Sequence, residues 1–274
     1  MAISRTIASN TSQNIFLPSF NIMAMPLKRI TLLSDRVSNW NEYPFNVPAI
    51  SELRDIEVRK PVLFFVGENG SGKSTLLEAV ATHYGFGREG GNRNFRSETT
   101  ESVRSVEPLV KALRVAFTNR SGAGYYLRAE SFFNIATAID SLGVEEAYGG
   151  RSLHEQSHGE SFISLATNRF NKDGFYVLDE PEAALSPQRQ LSLLVILHEL
   201  LKHRRDVQIL IATHSPILLA FPDAQILSFD DGVIHEIAYR ESAPYQLCSR
   251  FLANPDQYIH ALFNDEPLFC KSDD

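Results

Sequence analysis

The pattern of apolar and polar positions divides the chain into short strands separated by helices. Pro61-Val-Leu-Phe-Phe-Val66 is apolar throughout, as expected of a strand covered on both faces of a sheet. Residues 28–33 and the 56–66 region hold short apolar runs. So do residues 109–117, 125–127, 175–178 and 207–212, and all read as strands. Helical spacing recurs over 74–84, 131–142, 160–170 and 188–203, the last with apolar residues at Leu191, Leu194, Val195 and Leu201. Residues 85–100 and 143–158 are polar and read as surface loops. Residues 225–229 and 233–237 flank Asp230-Asp-Gly232, a hairpin signal, and the last residues read as helical and then polar. Strands alternating with helices predict an α/β fold with a mainly parallel sheet flanked by helices.

Composition narrows the class. The 274 residues suit one large α/β domain, with or without a small helical lobe, and 43% of them are hydrophobic, enough for a substantial core. A net charge of −7 disfavours a surface that coats nucleic acid. The basic run Lys202-His-Arg-Arg205 reads as a helix end favouring positive charge. Cys248 and Cys270 lack metal-ligand spacing and read as free thiols of a reducing, cytoplasmic setting. No apolar run reaches the roughly 18 residues needed to span a bilayer. Residues 1–26 contain no acid and hold all three methionines. They read as a poorly ordered or mis-assigned tail, with the folded domain beginning near Leu27.

Gly67-Glu-Asn-Gly-Ser-Gly-Lys-Ser-Thr75 fits the phosphate-loop pattern in full, with a strand before it and a helix after. Gly67, Gly70 and Gly72 permit the backbone angles that turn several N–H groups onto one anion, and the helix start adds its positive end. Glu68, Asn69 and Ser71 complete the cradle. Lys73 is the cation for the β and γ phosphates, the Ser74 hydroxyl is placed for Mg2+, and Thr75 sits beside it. Asp179 and Glu180 end the buried strand that opens at Phe175. Behind a phosphate loop, Asp179 reads as a metal residue and Glu180 as the general base for an attacking water. His214 follows the strand at 207–212, where a side chain faces the ligand crevice. It reads as a donor to the γ-phosphate, while Ser215 and Pro216 read as cap and first residue of a helix. Ser157 and Glu160 have capping-box spacing. With Gly159 they form either a plain helix start or an anion site for a second molecule's γ-phosphate, and spacing leaves both readings open.

In this order, the motifs resemble those of the ABC-type ATPases over roughly residues 27–237. Residues 67–75 look like Walker A, 157–160 like the signature motif and 179–180 like Walker B with its catalytic glutamate. Ala184-Leu-Ser-Pro187 looks like the D-loop and His214 like the switch histidine. The wording is most similar to small stand-alone bacterial ATPases often labelled AAA-family. The resemblance implies ATP and Mg2+ as cofactors, ATP hydrolysis, and an ATP-sandwiched homodimer acting on a nucleic-acid or protein effector in repair, defence or partner remodelling. An ABC transporter's ATPase subunit and a nucleotide-dependent sensor or scaffold are the alternatives. The implied layout is an ATPase domain at 27–240 with a helical lobe at about 128–170, followed by a helical tail at 241–274. Two departures stand out. His158 replaces the first signature glycine, and no Q-loop glutamine is evident, so Glu130 is the expected substitute at the metal or its water. The stretch from Lys73 to Ser157 is too short for a long coiled coil. Trp40, Tyr43 and Phe45 are the aromatic candidates for stacking on adenine.

Overall fold

The computed structural model describes residues 25–87, 90–92, 106–118, 123–132 and 157–264. Two sheets divide the strands. Strand β1 (Leu27–Leu32) pairs antiparallel with β2 (Asp55–Glu57) and with β4 (Leu113–Phe117). The second sheet runs in the order β5 (Gly124–Arg128), β6 (Gly174–Asp179), β7 (Val207–Ala212), β3 (Val62–Val66), β8 (Gln225–Ser228), β9 (His235–Ile237). Its pairs are parallel except for β8 with β9, which form the hairpin around residues 230–232. Strands β3, β6 and β7 are buried at every position, which is why their sequences run apolar without alternation.

Each face of this sheet has its own core. Leu63 and Phe65 of β3 pack with helix α2 (Lys73–Tyr84) and the antiparallel sheet. Val62, Phe64 and Val66 face the other way, toward α4 (His158–Arg169), α5 (Pro187–His203) and α6 (Pro216–Leu219). Short helices α1 (Pro48–Ser51) and α3 (Glu107–Ala112) complete the first layer, while α7 (Ala243–Ala253) and α8 (Pro255–Phe263) follow β9. Two buried glutamines stitch the sheets together. Gln208 on β7 accepts from Leu27 N at 2.6 Å and donates to Leu27 O at 3.1 Å. Gln225 on β8 accepts from Arg59 N and donates to Glu57 O.

The structure differs from the sequence pattern in two described places. The strand expected over 109–117 is helix α3 up to Ala112 and strand only from Leu113. Pro108 in the first turn suits a helix start, and Leu109 and Ala112, three apart, both turn inward. On α5 the buried stripe is Leu193, Leu197, Leu200 and Leu201, whereas Leu191 is 49% and Val195 62% exposed. The tail at 1–24, most of the loops at 85–100 and 143–158, the helix expected at 131–142 beyond Phe132, and residues 265–274 lie outside the described residues. Among those described, no helix is long and apolar enough to cross a membrane.

Candidate functional site

The loop from β3 to α2 curls around one side chain. Gly70 and Gly72 take φ of +81° and +100°, a region that side-chain-bearing residues rarely adopt. A Cβ on Gly72 would also lie 3.1 Å from both Val47 and Ile50, so the loop closes tightly on α1. Lys73 opens α2 almost fully buried, and its Nζ donates to Gly67 O at 2.6 Å and to Glu68 O at 2.8 Å. Burial lowers the ammonium pKa, and the carboxylates of Glu180, Asp230, Asp179 and Glu182 pull it back up. From the turn after β8, Asp230 braces the loop by accepting Glu68 N at 2.9 Å. Glu68, Asn69, Gly70 and Ser71 face that turn across a cleft of about 400 Å³.

Next to the loop, the Ser74 hydroxyl donates to Asp179 Oδ1 at 2.8 Å. Asp179 is the last residue of β6 and is buried, and burial pushes its carboxyl up to about 6 despite the opposing pull of Arg128 and Ser74. Glu180 then turns sharply. Its φ is +49°, a left-handed conformation costing a non-glycine residue roughly 1–2 kcal/mol. Its N–H still extends the sheet, donating to Ala212 O at 2.9 Å, while its Oε1 comes within 3.5 Å of His214 Nε2. The backbone N–H of His214 is held by the Glu182 carboxylate. Ser215 caps α6 by accepting from Ile217 N and Leu218 N, so the cap leaves the imidazole of His214 uncommitted.

A second helix start lies at α4. Glu160 accepts from Ser157 N at 3.0 Å and from Ser157 Oγ at 2.8 Å, the capping box in full. Arg189 from α5 adds Nη1 to Ser157 Oγ and Nη2 to Glu160 Oε1, both at 2.9 Å. Gly159 makes room for this arginine, because a Cβ there would stand 2.7 Å from Arg189 Nη1. The hydrogen bonds with Ser157 and the charge of Arg189 lower the Glu160 pKa. His158 turns its ring edge-on to Phe132, with centroids 5.3 Å apart.

The remaining sequence candidates fall in different surroundings. Tyr43, half exposed, shares a 2.8 Å hydrogen bond between its hydroxyl and Thr75 Oγ1. Phe45 is in the core and Trp40 stacks edge-on against it. The side chain of Glu130 is 83% exposed and meets Arg128 at 3.7 Å rather than Ser74 or Asp179. Arg128 itself, which no sequence motif singles out, stands in register with Asp179 across β5 and β6. Its guanidinium lies 3.5 Å from Asp179 Oδ2 and 3.0 Å from Glu78 Oε2. Arg189 escapes the sequence pattern in the same way. Neither arginine belongs to a local motif, and only strand pairing or helix packing reveals what it touches.

This donor set fits a nucleotide triphosphate with Mg2+. Ser71 Oγ and His214 Nε2 are buried at the loop and the strand end without hydrogen-bond partners, as groups awaiting phosphate oxygens would be. Among the described residues, no set of three or more His, Cys, Asp or Glu side chains gathers to hold a metal alone. Mg2+ is commonly held by one or two carboxylates together with substrate phosphates, and Ser74 with Asp179 would supply the protein's share.

The relatives found by sequence agree with this chemistry. The family model described as "AAA domain, putative AbiEii toxin, Type IV TA system" matches residues 145–220. An energy-coupling factor transporter ATP-binding protein of Leuconostoc mesenteroides is 30% identical over 209 residues, 67% of this chain and 72% of its own length. A putative ABC transporter ATP-binding protein of Caldanaerobacter subterraneus is 28% identical over 218 residues, 73% of this chain and 88% of that one. A multidrug efflux ATP-binding/permease protein of Mycobacterium tuberculosis is 28% identical over 244 residues, and the chain spans 20% of its length. Among solved structures, the SMC head domain from Thermotoga maritima has 18% identity and a TM-score of 0.42, covering 78% of this chain and 98% of that one.

Proposed function

The chain belongs to the ABC-type P-loop ATPases, which bind ATP with Mg2+ and hydrolyse it, and from that premise we propose that it works as a cytoplasmic, ATP-sandwiched homodimer. The observation that carries this reading is the pair of helix starts in one chain. One, at Lys73, follows the phosphate loop, and the other, at Ser157, is capped and faced by an arginine. One nucleotide cannot readily occupy both starts within a monomer of this fold. The two-fold arrangement seats each ATP between the loop of one protomer and residues Ser157, Gly159 and Glu160 of its partner.

Within the site, the loop N–H groups and Lys73 hold the β and γ phosphates. Lys73 exchanges its bonds with Gly67 O and Glu68 O for phosphate oxygens. Mg2+, when bound, neutralises charge on the phosphates. Glu180 accepts the proton of the attacking water at its carboxylate, and its left-handed backbone aims that carboxylate beside His214. The imidazole of His214 donates from Nε2 to the γ-phosphate and fixes the position of Glu180. As water adds to the γ-phosphorus, the bond to the bridging oxygen breaks and leaves with its electron pair on ADP. Residues 27–240 form the ATPase domain, with the helical lobe at about 128–170 and residues 241–274 as its appendage. The coupled process is nucleic-acid repair, defence or remodelling of a partner.

The test uses two variants and light scattering. Glu180→Gln keeps the shape of the acid and removes its basicity, so a dimer accumulates with ATP and Mg2+ while hydrolysis stops. Adding Ser157→Arg breaks that dimer. A Glu180→Gln variant that stays monomeric with ATP, or hydrolyses it at the normal rate, refutes the reading. A transporter-subunit role is the second reading, supported by the names of the relatives at 30% and 28% identity. Purification of the chain in stable complex with a membrane protein would favour it.

A further inference from the structure

Arg128 ends β5 directly opposite Asp179 on β6, and its guanidinium faces a different carboxylate with each nitrogen. Nη1 lies 3.0 Å from Glu78 on α2, the helix that carries Lys73 and Ser74. Nε lies 3.5 Å from Asp179 Oδ2, and Nη2 lies 3.7 Å from Glu130. The side chain is only 18% exposed, and Glu78 and Asp179 are buried. The two oxygens of Asp179 are therefore divided, with Oδ1 taking the Ser74 hydroxyl and Oδ2 facing Arg128.

We infer that Arg128 is a positioning residue that stands in for a divalent cation at Asp179, so that the chain admits Mg2+ only together with a nucleotide. A buried carboxylate attracts any cation that can reach it, and charges are weakly screened there. Arg128 meets that demand permanently, from a neighbouring strand of the same sheet. It also repels a second cation from the Oδ2 side. A divalent ion arriving alone finds one free direction at Asp179 and the Ser74 hydroxyl, too few ligands to replace its water. Arriving on ATP, it brings phosphate oxygens as additional ligands and enters from the loop side without displacing the guanidinium. The same contacts tie Asp179 through Glu78 to the helix behind the phosphate loop, which keeps Oδ1 aimed at Ser74.

The inference rests on the assignment of Ser74 and Asp179 to the metal edge, and the experiment separates the two claims. Nucleotide-free protein is titrated with Mn2+ and free ion is counted by electron paramagnetic resonance. Wild type binds Mn2+ weakly. Arg128→Met keeps an unbranched, shorter stem, removes the guanidinium charge and adds no oxygen ligand. It tightens nucleotide-free Mn2+ binding about tenfold or more. Arg128→Lys keeps the charge and leaves binding weak. A merely structural role for Arg128 predicts the opposite sign, because a loosened Asp179 binds metal less well. Should Arg128→Met fail to fold, the double variant Glu78→Gln/Arg128→Met, which also removes the buried acid, is measured by the same criterion. If Arg128→Met, or the double variant where the single one does not fold, binds Mn2+ without nucleotide no more tightly than wild type, the inference is overturned. The metal-edge assignment is read separately, with ATP present. If Asp179→Asn then binds Mn2+ as tightly as wild type, that assignment fails whatever the Arg128 variants show.

Discussion

Replacing Asp179 with asparagine should make the metal-free chain more stable at neutral pH while removing Mg2+-dependent hydrolysis. Burial raises the Asp179 carboxyl from its ordinary 3.8 to about 6, even with Arg128 and the Ser74 hydroxyl pulling the other way. The native state thus holds this proton more tightly than the unfolded chain does. Between pH 3.8 and about 6 the native state binds more protons, so stability is full below the window and falls as pH rises through it. A difference of roughly two pH units, at about 1.4 kcal/mol each, amounts to about 3 kcal/mol lost well above pH 6. Asparagine is neutral at every pH and its carbonyl still accepts the Ser74 hydroxyl, but its amide faces Arg128 and forfeits that attraction. The net gain expected at pH 7.5 is therefore about 1–3 kcal/mol, or several degrees in Tm for a chain of this size. It should vanish near pH 4. Urea unfolding followed by circular dichroism in EDTA, at several pH values from 4 to 7.5, measures it. A wild type at least as stable as the variant at pH 7.5, or a difference that ignores pH, would refute the reasoning.

Two further outcomes follow from the same geometry. Lys73→Ala should abolish measurable ATP binding by calorimetry, since it removes the ammonium that would exchange the Gly67 and Glu68 carbonyls for phosphate oxygens, and affinity within about tenfold of wild type would contradict the assignment. Arg189→Ala should cost under about 1 kcal/mol of stability, because its contacts are partly exposed and the capping box survives without it, yet it should weaken the ATP-bound Glu180→Gln dimer in sedimentation.

The phosphate loop is legible because all of its parts are consecutive. Glycine spacing, the lysine and the flanking strand and helix act within a few residues, and the backbone alone brings them together. The buried strands are equally readable, since β3, β6 and β7 are apolar without alternation. Relations between distant segments are not. Arg128 meets Asp179 only because β5 lies beside β6, and Arg189 reaches Ser157 only because α5 packs on α4. The absence of a Q-loop glutamine points instead to Glu130, the nearby acid, which the structure leaves at the surface on the far side of Arg128. The backbone turn at Glu180 is hidden for another reason. Glutamate has no preference for left-handed φ, and the proline after it favours extended backbone instead, so nothing in the local sequence marks the turn. Helix α3 departs from the expected strand because a run of apolar residues fits either a strand or a short helix until Pro108 is weighed.

These observations share a physical consequence. Polar groups beyond β3, at the end of β6 and at the start of α4 are already engaged by the chain itself: Lys73 by loop carbonyls, Asp179 by Ser74 and Arg128, and Ser157 by Glu160 and Arg189. Binding a nucleotide here is an exchange of partners, so affinity falls well short of the summed strength of the new phosphate hydrogen bonds. The exchange is also selective. A diphosphate can replace the carbonyls at Lys73, but only a ligand with a third phosphate extends toward the unpartnered His214 Nε2 beside Glu180. On the proposed reading, discrimination between ATP and ADP then rests on the γ-phosphate partners, His214 and the Glu180 turn among them, while the loop N–H groups serve the β-phosphate that both nucleotides carry. On that reading, the division accounts for a left-handed Glu180 and for a His214 Nε2 buried without a hydrogen-bond partner, neither of which favours stability.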